Sequence, residues 1–92
     1  MNREEMRSIL LRLVEEEMGE TYPSLDDGVA LKDGLNLDSV DVVGLVMRVE
    51  RELQVRLSTS ELEQIRTVGD MLDLLLAKQA ASSSANKTTG TE

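Results

Sequence analysis

The chain has 92 residues, with 18 Asp and Glu against 10 Lys and Arg, and a formal net charge of -8. A chain this short makes one domain around one modest core, and its acidity repels nucleic acid phosphates and anionic lipid while steering it toward basic surfaces. Cysteine and histidine are both absent, which removes thiolate nucleophiles, Cys/His metal sites and the commonest general base near neutral pH, so self-contained catalysis has little to work with.

The opening Met1-Asn2-Arg3-Glu4-Glu5 lacks an apolar leader, and no stretch approaches the roughly 20 apolar residues of a membrane span. A cytoplasmic, monomeric protein with no membrane or nucleic-acid partner is expected. Met6, Ile9, Leu10, Leu13, Val14 and Met18 then recur at spacings of three and four, which predicts an amphipathic helix from Arg3 to Met18. Asn2 with Glu5 forms a capping-box pattern, and Gly19 can close the helix in left-handed backbone.

Residues 20–37 lose that rhythm and contain Pro23, Gly28 and Gly34 with several Asp, so they read as a long connecting loop. Leu25, Val29, Leu31 and Leu35 are apolar enough to tie it over the core. A second helix is expected to begin at Asp38-Ser39 and run to about Leu53, with Val42, Leu45, Val46, Val49 and Leu53 as its buried stripe and Val40, Val43 and Met47 on an adjoining face. Ser58 to Glu61 offers an N-cap to a short helix carrying Leu62 and Ile65. After Arg66-Thr67, a final helix is expected through Val68, Met71, Leu72, Leu75 and Leu76 to about Gln79. The domain is thus placed at 1–79, and 80–92 reads as a disordered polar tail. With aromatics at 1%, Leu, Val, Ile and Met must fill the interior, which suits an all-α bundle of three longer helices and one short one.

The informative stretch is Asp33-Gly34-Leu35-Asn36-Leu37-Asp38-Ser39-Val40, which delivers a serine from a long loop onto the first turn of the most apolar helix. A helix start offers unpaired N–H groups and partial positive charge, a favourable place for an attached phosphate. Asp38 and Asp41 favour the helix start but repel such a phosphate, an effect that exposure to water reduces. Ser and Asp are also the commonest caps, so the pair alone says no more than capping.

Leu37-Asp38-Ser39-Val40 resembles the attachment motif of acyl carrier proteins. The likeness continues through Val43-Gly44-Leu45-Val46-Met47 to Ile65-Arg66-Thr67-Val68-Gly69-Asp70, covering roughly residues 3–79. The resemblance implies an acyl-carrier-like four-helix bundle with a long first loop. It implies that Ser39 bears 4'-phosphopantetheine, added from coenzyme A by a phosphopantetheinyl transferase that recognises Asp38, and that acyl groups ride on the arm as thioesters. The carrier would itself catalyse nothing. The missing cysteine fits, since a prosthetic thiol would supply that chemistry.

By the same resemblance, Val40, Asp41, Val43 and Met47 match positions that meet partner enzymes, which would be acyl-loading, ketosynthase-type or other acyl-transferring enzymes. Simple core packing is the competing reading of the three apolar ones. Leu45, Val46, Val49 and Leu53 match interior positions where some family members shelter an acyl chain. Asn36 replaces a glycine often found before the motif, and tolerates left-handed backbone. Gly44, Arg48 and Arg51 stand where many carriers have acidic or neutral residues, which weakens the expectation of docking to general basic patches and points to a dedicated carrier for one pathway. Fatty-acid-like, polyketide and other specialised cargoes all stay open, and so does the choice between a free-standing protein and a domain of a larger synthase.

Other readings fare worse. Asp26-Asp27-Gly28 and the Asp33–Asp38 segment do not follow the alternating ligands of an EF-hand, so no metal site is expected. Asn86-Lys87-Thr88 is a chance glycosylation triplet in the absence of a secretion signal. An unmodified helical adaptor with a degenerate carrier fold is the main competitor, and a peptidyl (aminoacyl) carrier a second.

Overall fold

The computed structural model describes the backbone of residues 1–90 and the side chains of residues 1–80. Its elements in order are α1 (Arg3–Met18), α2 (Ser39–Leu53), α3 (Thr59–Glu63) and α4 (Val68–Gly90). Among the described residues there is no strand, only an isolated bridge between Ala30 and Thr67.

Each helix starts where its sequence satisfies the orphan donors of a first turn. For α1, Asn2 Oδ1 accepts from the Glu5 N–H at 2.8 Å and Glu5 Oε1 accepts from the Asn2 N–H at 2.9 Å. Gly19 closes the helix at φ 70°. For α3, Ser58 and Glu61 exchange the same pair of bonds, at 3.1 and 2.8 Å. The α4 start repeats the device with Thr67 and Asp70, whose carboxylate also takes the Arg66 N–H at 3.0 Å.

The core is built from Leu, Val and Met without an aromatic ring. Met6, Leu10, Leu13 and Val14 of α1 form the inward face that meets Leu45, Val46 and Val49 of α2 and Val68, Met71, Leu72 and Leu75 of α4. Ten of the larger core side chains, Leu10, Leu45 and Leu72 among them, are less than 2% exposed. Each contributes roughly 1.5–3 kcal/mol by burial, so this inner layer dominates stability.

The long loop is held by two sets of contacts. Leu25, Leu31, Leu35 and Leu37 are buried in the core and Val29 is half-buried. Main-chain bonds then stitch it to the α3–α4 junction: the Leu31 N–H donates to Arg66 O at 3.0 Å, Val68 N–H to Val29 O at 2.9 Å and Gly69 N–H to Asp27 O at 2.9 Å. Gly69 has no Cβ because one would lie 3.1 Å from the Asp27 carbonyl oxygen. The Asp27 carboxylate in turn binds Arg3 and Arg7 of α1, both at 2.7 Å.

One boundary differs from expectation. Backbone helix continues beyond Gln79 to Gly90, over residues the sequence reading assigned to a disordered tail. The run Ala80-Ala81-Ser82-Ser83-Ser84-Ala85 holds no proline or glycine and several of the strongest helix former, so nothing in it stops propagation. The tail's last two residues lie outside the described residues.

Candidate functional site

The approach to Ser39 is fixed residue by residue. Leu35 and Leu37 are buried, and between them Asn36 takes left-handed backbone at φ 59°, turning the chain so that both leucines reach the core. Asp38 is the N-cap of α2: its Oδ1 accepts from the Asp41 N–H at 2.8 Å, while Asp41 Oδ2 accepts from the Asp38 N–H at 3.2 Å. Ser39 is the first helical residue, exposed, and among the described residues its hydroxyl has no hydrogen-bond partner. Capping is carried by the two aspartates, so this serine does no structural work that its exposure reveals. Partial positive charge at the helix start faces the hydroxyl, tempered by the neighbouring carboxylates.

A groove of about 690 Å³ opens beside it, lined by Ser39, Val42 and Val43 of α2, by Leu62 and Glu63 of α3, and by Ile65. Ala30, Leu31, Lys32, Asp33 and Arg66 form its loop side, with Thr59 at the start of α3. The interior positions expected to shelter a cargo lie elsewhere: Leu45, Val46 and Val49 are packed in the core at 5% exposure or less, and Leu53 is half-buried. Close packing against α1 fills that space, and none of the four lines the groove. The lining of this groove was legible only in part, as apolar Val42 one turn beyond Ser39 and as Leu62 and Ile65 near the short helix.

The other singled-out residues of α2 divide between an outward face and the side that meets α1. Val40, Val43 and Met47 are 78%, 56% and 55% exposed, which removes the core-packing reading. Asp41 is half-buried in the cap. Gly44 and Arg48 point toward α1, where Arg48 Nε meets Glu17 Oε1 at 2.6 Å. Arg51 is exposed. Of the acids considered for calcium, Asp27 is occupied by Arg3 and Arg7, and among the described residues no cluster of acids could hold a metal ion. No described helix is long and apolar enough to cross a membrane.

The family described as a phosphopantetheine attachment site matches residues 8–75. Acyl carrier protein of Saccharopolyspora erythraea is 33% identical over 90 residues, covering 95% of each chain. That of Thermotoga maritima is 35% identical over 77 residues, 84% of this chain and 95% of the relative. The crystal structure of the Thermotoga maritima acyl carrier protein superposes with a TM-score of 0.80 at 31% identity, over 88% of this chain and 94% of that one. The solution structure of a holo acyl carrier protein from Geobacter metallireducens gives a TM-score of 0.76 at 21% identity, over 84% of this chain and 88% of that one, a likeness of fold.

Proposed function

The chain belongs to the acyl carrier protein family, a family of non-catalytic carriers whose prosthetic group is 4'-phosphopantetheine, and from that premise we propose that Ser39 is the attachment residue. The observation that carries this is the exposed Ser39 hydroxyl, without a partner among the described residues, on the first turn of α2 at the edge of an apolar groove. A bulky substituent there displaces nothing. When bound, the arm supplies the thiol that a chain without cysteine cannot.

The chain's own residues position and advertise the site. Buried Leu35 and Leu37, with the turn at Asn36, hold the loop so that Ser39 keeps its place. Asp38 caps the helix and leaves a charge beside the hydroxyl for a phosphopantetheinyl transferase to read. Val40, Asp41, Val43 and Met47 extend from that point as the contact face for acyl-loading, ketosynthase-type or other acyl-transferring enzymes. Val42, Leu62 and Ile65 line an apolar groove within the same side of the molecule. The carrier unit spans residues 1–79 and works as a cytoplasmic monomer. Gly44, Arg48 and Arg51, where many carriers have acidic or neutral residues, favour service to one biosynthetic pathway, fatty-acid-like, polyketide or otherwise specialised.

Intact mass after incubation with coenzyme A and a broad-specificity transferase tests the assignment. The native chain is expected to gain one phosphopantetheine and Ser39→Ala none. No gain with several transferases would overturn the assignment in favour of an unmodified adaptor. Release and identification of acyl groups from protein purified in its holo form then names the cargo, a peptidyl carrier being marked by aminoacyl groups.

A further inference from the structure

The uncovered face of α2 has a composition of its own. Val40, Val43 and Met47, all more than half exposed, recur with Arg51 at spacings of three and four, so they make one stripe along the helix. Apart from Met1 they are the exposed large apolar side chains among the described residues. Single exposed apolar residues need no explanation, but a contiguous row marks a contact surface.

The carboxylates of α2 are turned to other uses. Asp41 closes the cap with Asp38. Glu50 Oε2 accepts from the Leu57 N–H at 2.9 Å, holding the chain after the helix. Glu52 binds Arg12 of α1 at 2.7 Å. Arg48 folds back onto Glu17 and Glu16 of α1, at 2.6 and 3.6 Å. Arg51 alone among these charges stays exposed with no ion-pair partner among the described residues.

Resting on the carrier reading above, we infer that this face docks into an apolar trough whose far end carries carboxylates opposite Arg51, and not onto a basic patch. The parts of the stripe have separate tasks. Desolvation of the three apolar side chains supplies most of the binding free energy. Arg51, at the end remote from Ser39, sets direction: reversing the helix would bring Asp38 and Asp41 against the partner's carboxylates, where like charges repel. Long-range repulsion between an acidic rim and a chain of net charge -8 is screened at ordinary salt, while the contact at Arg51 persists.

The test titrates the full ¹⁵N-labelled chain with two synthetic amphipathic helical peptides that share one apolar face, one flanked by glutamates and the other by lysines. At about 0.3 M salt, which screens distant exposed charges, the glutamate peptide is expected to shift the amide resonances of Val40 to Arg51. Arg51→Glu and Met47→Ser are each expected to weaken it about fivefold without change in helix content by circular dichroism. If the lysine peptide occupies that face as tightly, or if Arg51→Glu leaves the affinity unchanged, the inference fails. Transferase labelling of the same preparations separates the two ideas: protein that labels at Ser39 but whose α2 ignores the glutamate peptide defeats the docking inference alone, whereas protein that does not label defeats the carrier assignment.

Discussion

The carboxylate of Glu17 stands where a side chain on Gly44 would begin, and from there Oε1 binds Arg48 Nε at 2.6 Å. A glycine in mid-helix costs up to about 1 kcal/mol relative to alanine. Here the vacancy lets α1 reach across α2 and draw a cation off the outer face. The pair is partly exposed, so its worth is roughly 0.2–1 kcal/mol. The two quantities nearly cancel.

Gly44→Ala is therefore expected to leave stability within about 0.5 kcal/mol of the native value while ending the coupling between Glu17 and Arg48. A double-mutant cycle with Glu17→Gln and Arg48→Gln, measured by urea unfolding, should read about 0.5 kcal/mol in the native background and near zero in the Gly44→Ala background. Equal coupling in both backgrounds would show that Glu17 reaches Arg48 by another route.

Burial separates the two stripes of α2. Leu45 of α2 is fully buried in the core, so Leu45→Ala should cost about 2–5 kcal/mol, a large share of the stability of a domain this size. Val43, at 56% exposure, should cost less than about 0.5 kcal/mol on truncation to Ala. Comparable losses at both positions in chemical denaturation would return Val43 to the core.

Asp38 combines a cap with a recognition charge, and the two come apart by substitution. Asparagine caps as well as aspartate, whereas alanine gives up about 1 kcal/mol. Asp38→Asn should thus keep its melting temperature and yet be labelled more slowly by the transferase. Asp38→Ala should lose both. An undiminished labelling rate in Asp38→Asn would leave Asp38 as a cap and nothing more.

Several carboxylates link stability to acid. The Asp27 carboxyl is held below its ordinary value of 3.8 by hydrogen bonds from Arg3 and then Arg7. Asp70 is lowered by the backbone N–H groups of Arg66 and Thr67, and Glu61 by Lys78 and then the Ser58 N–H. A depressed folded-state value contributes stability that is complete above the unfolded value and is lost as pH falls through the folded one. The urea midpoint should therefore drop as pH is taken below about 4. Asp27→Asn should make that drop shallower, and an unchanged slope would show that the Asp27 pairs are inconsequential.

Gln54 ends α2 in left-handed backbone at φ 55°, a conformation that costs residues with a Cβ about 1 kcal/mol or more. Gln54→Gly should stabilise by about 0.5 kcal/mol after its own entropic cost is counted. Asn36, at φ 59°, tolerates that region better, so Asn36→Gly should change little. Thermal and urea unfolding of the two variants give the comparison.

What the sequence made legible was whatever local chemistry specifies. The span of α1 followed from its apolar spacing and from the Asn2–Glu5 and Gly19 signals, and the start of α2 from Asp38 and Ser39. What it hid depends on distant partners. Val40, Val43 and Met47 have the same helical spacing as a buried stripe, and only the placement of α1 and α4 decides which row faces out. The groove beside Ser39 needs α3 brought next to the loop, a juxtaposition that no helical spacing announces. The Arg3–Asp27–Arg7 cluster and the backbone pairing of 27–31 with 66–69 leave no periodic trace.

Because the path of the long loop is fastened through amide and carbonyl atoms at Asp27, Val29, Leu31, Arg66, Val68 and Gly69, and its leucines are sunk in the core, its course is largely indifferent to which side chains occupy its exposed positions. Evolution can rewrite its surface wording freely and still deliver the serine to the same spot. One letter is forbidden: a proline at Leu31, Val68 or Gly69 deletes the donor itself, and the loop would come loose at the seam.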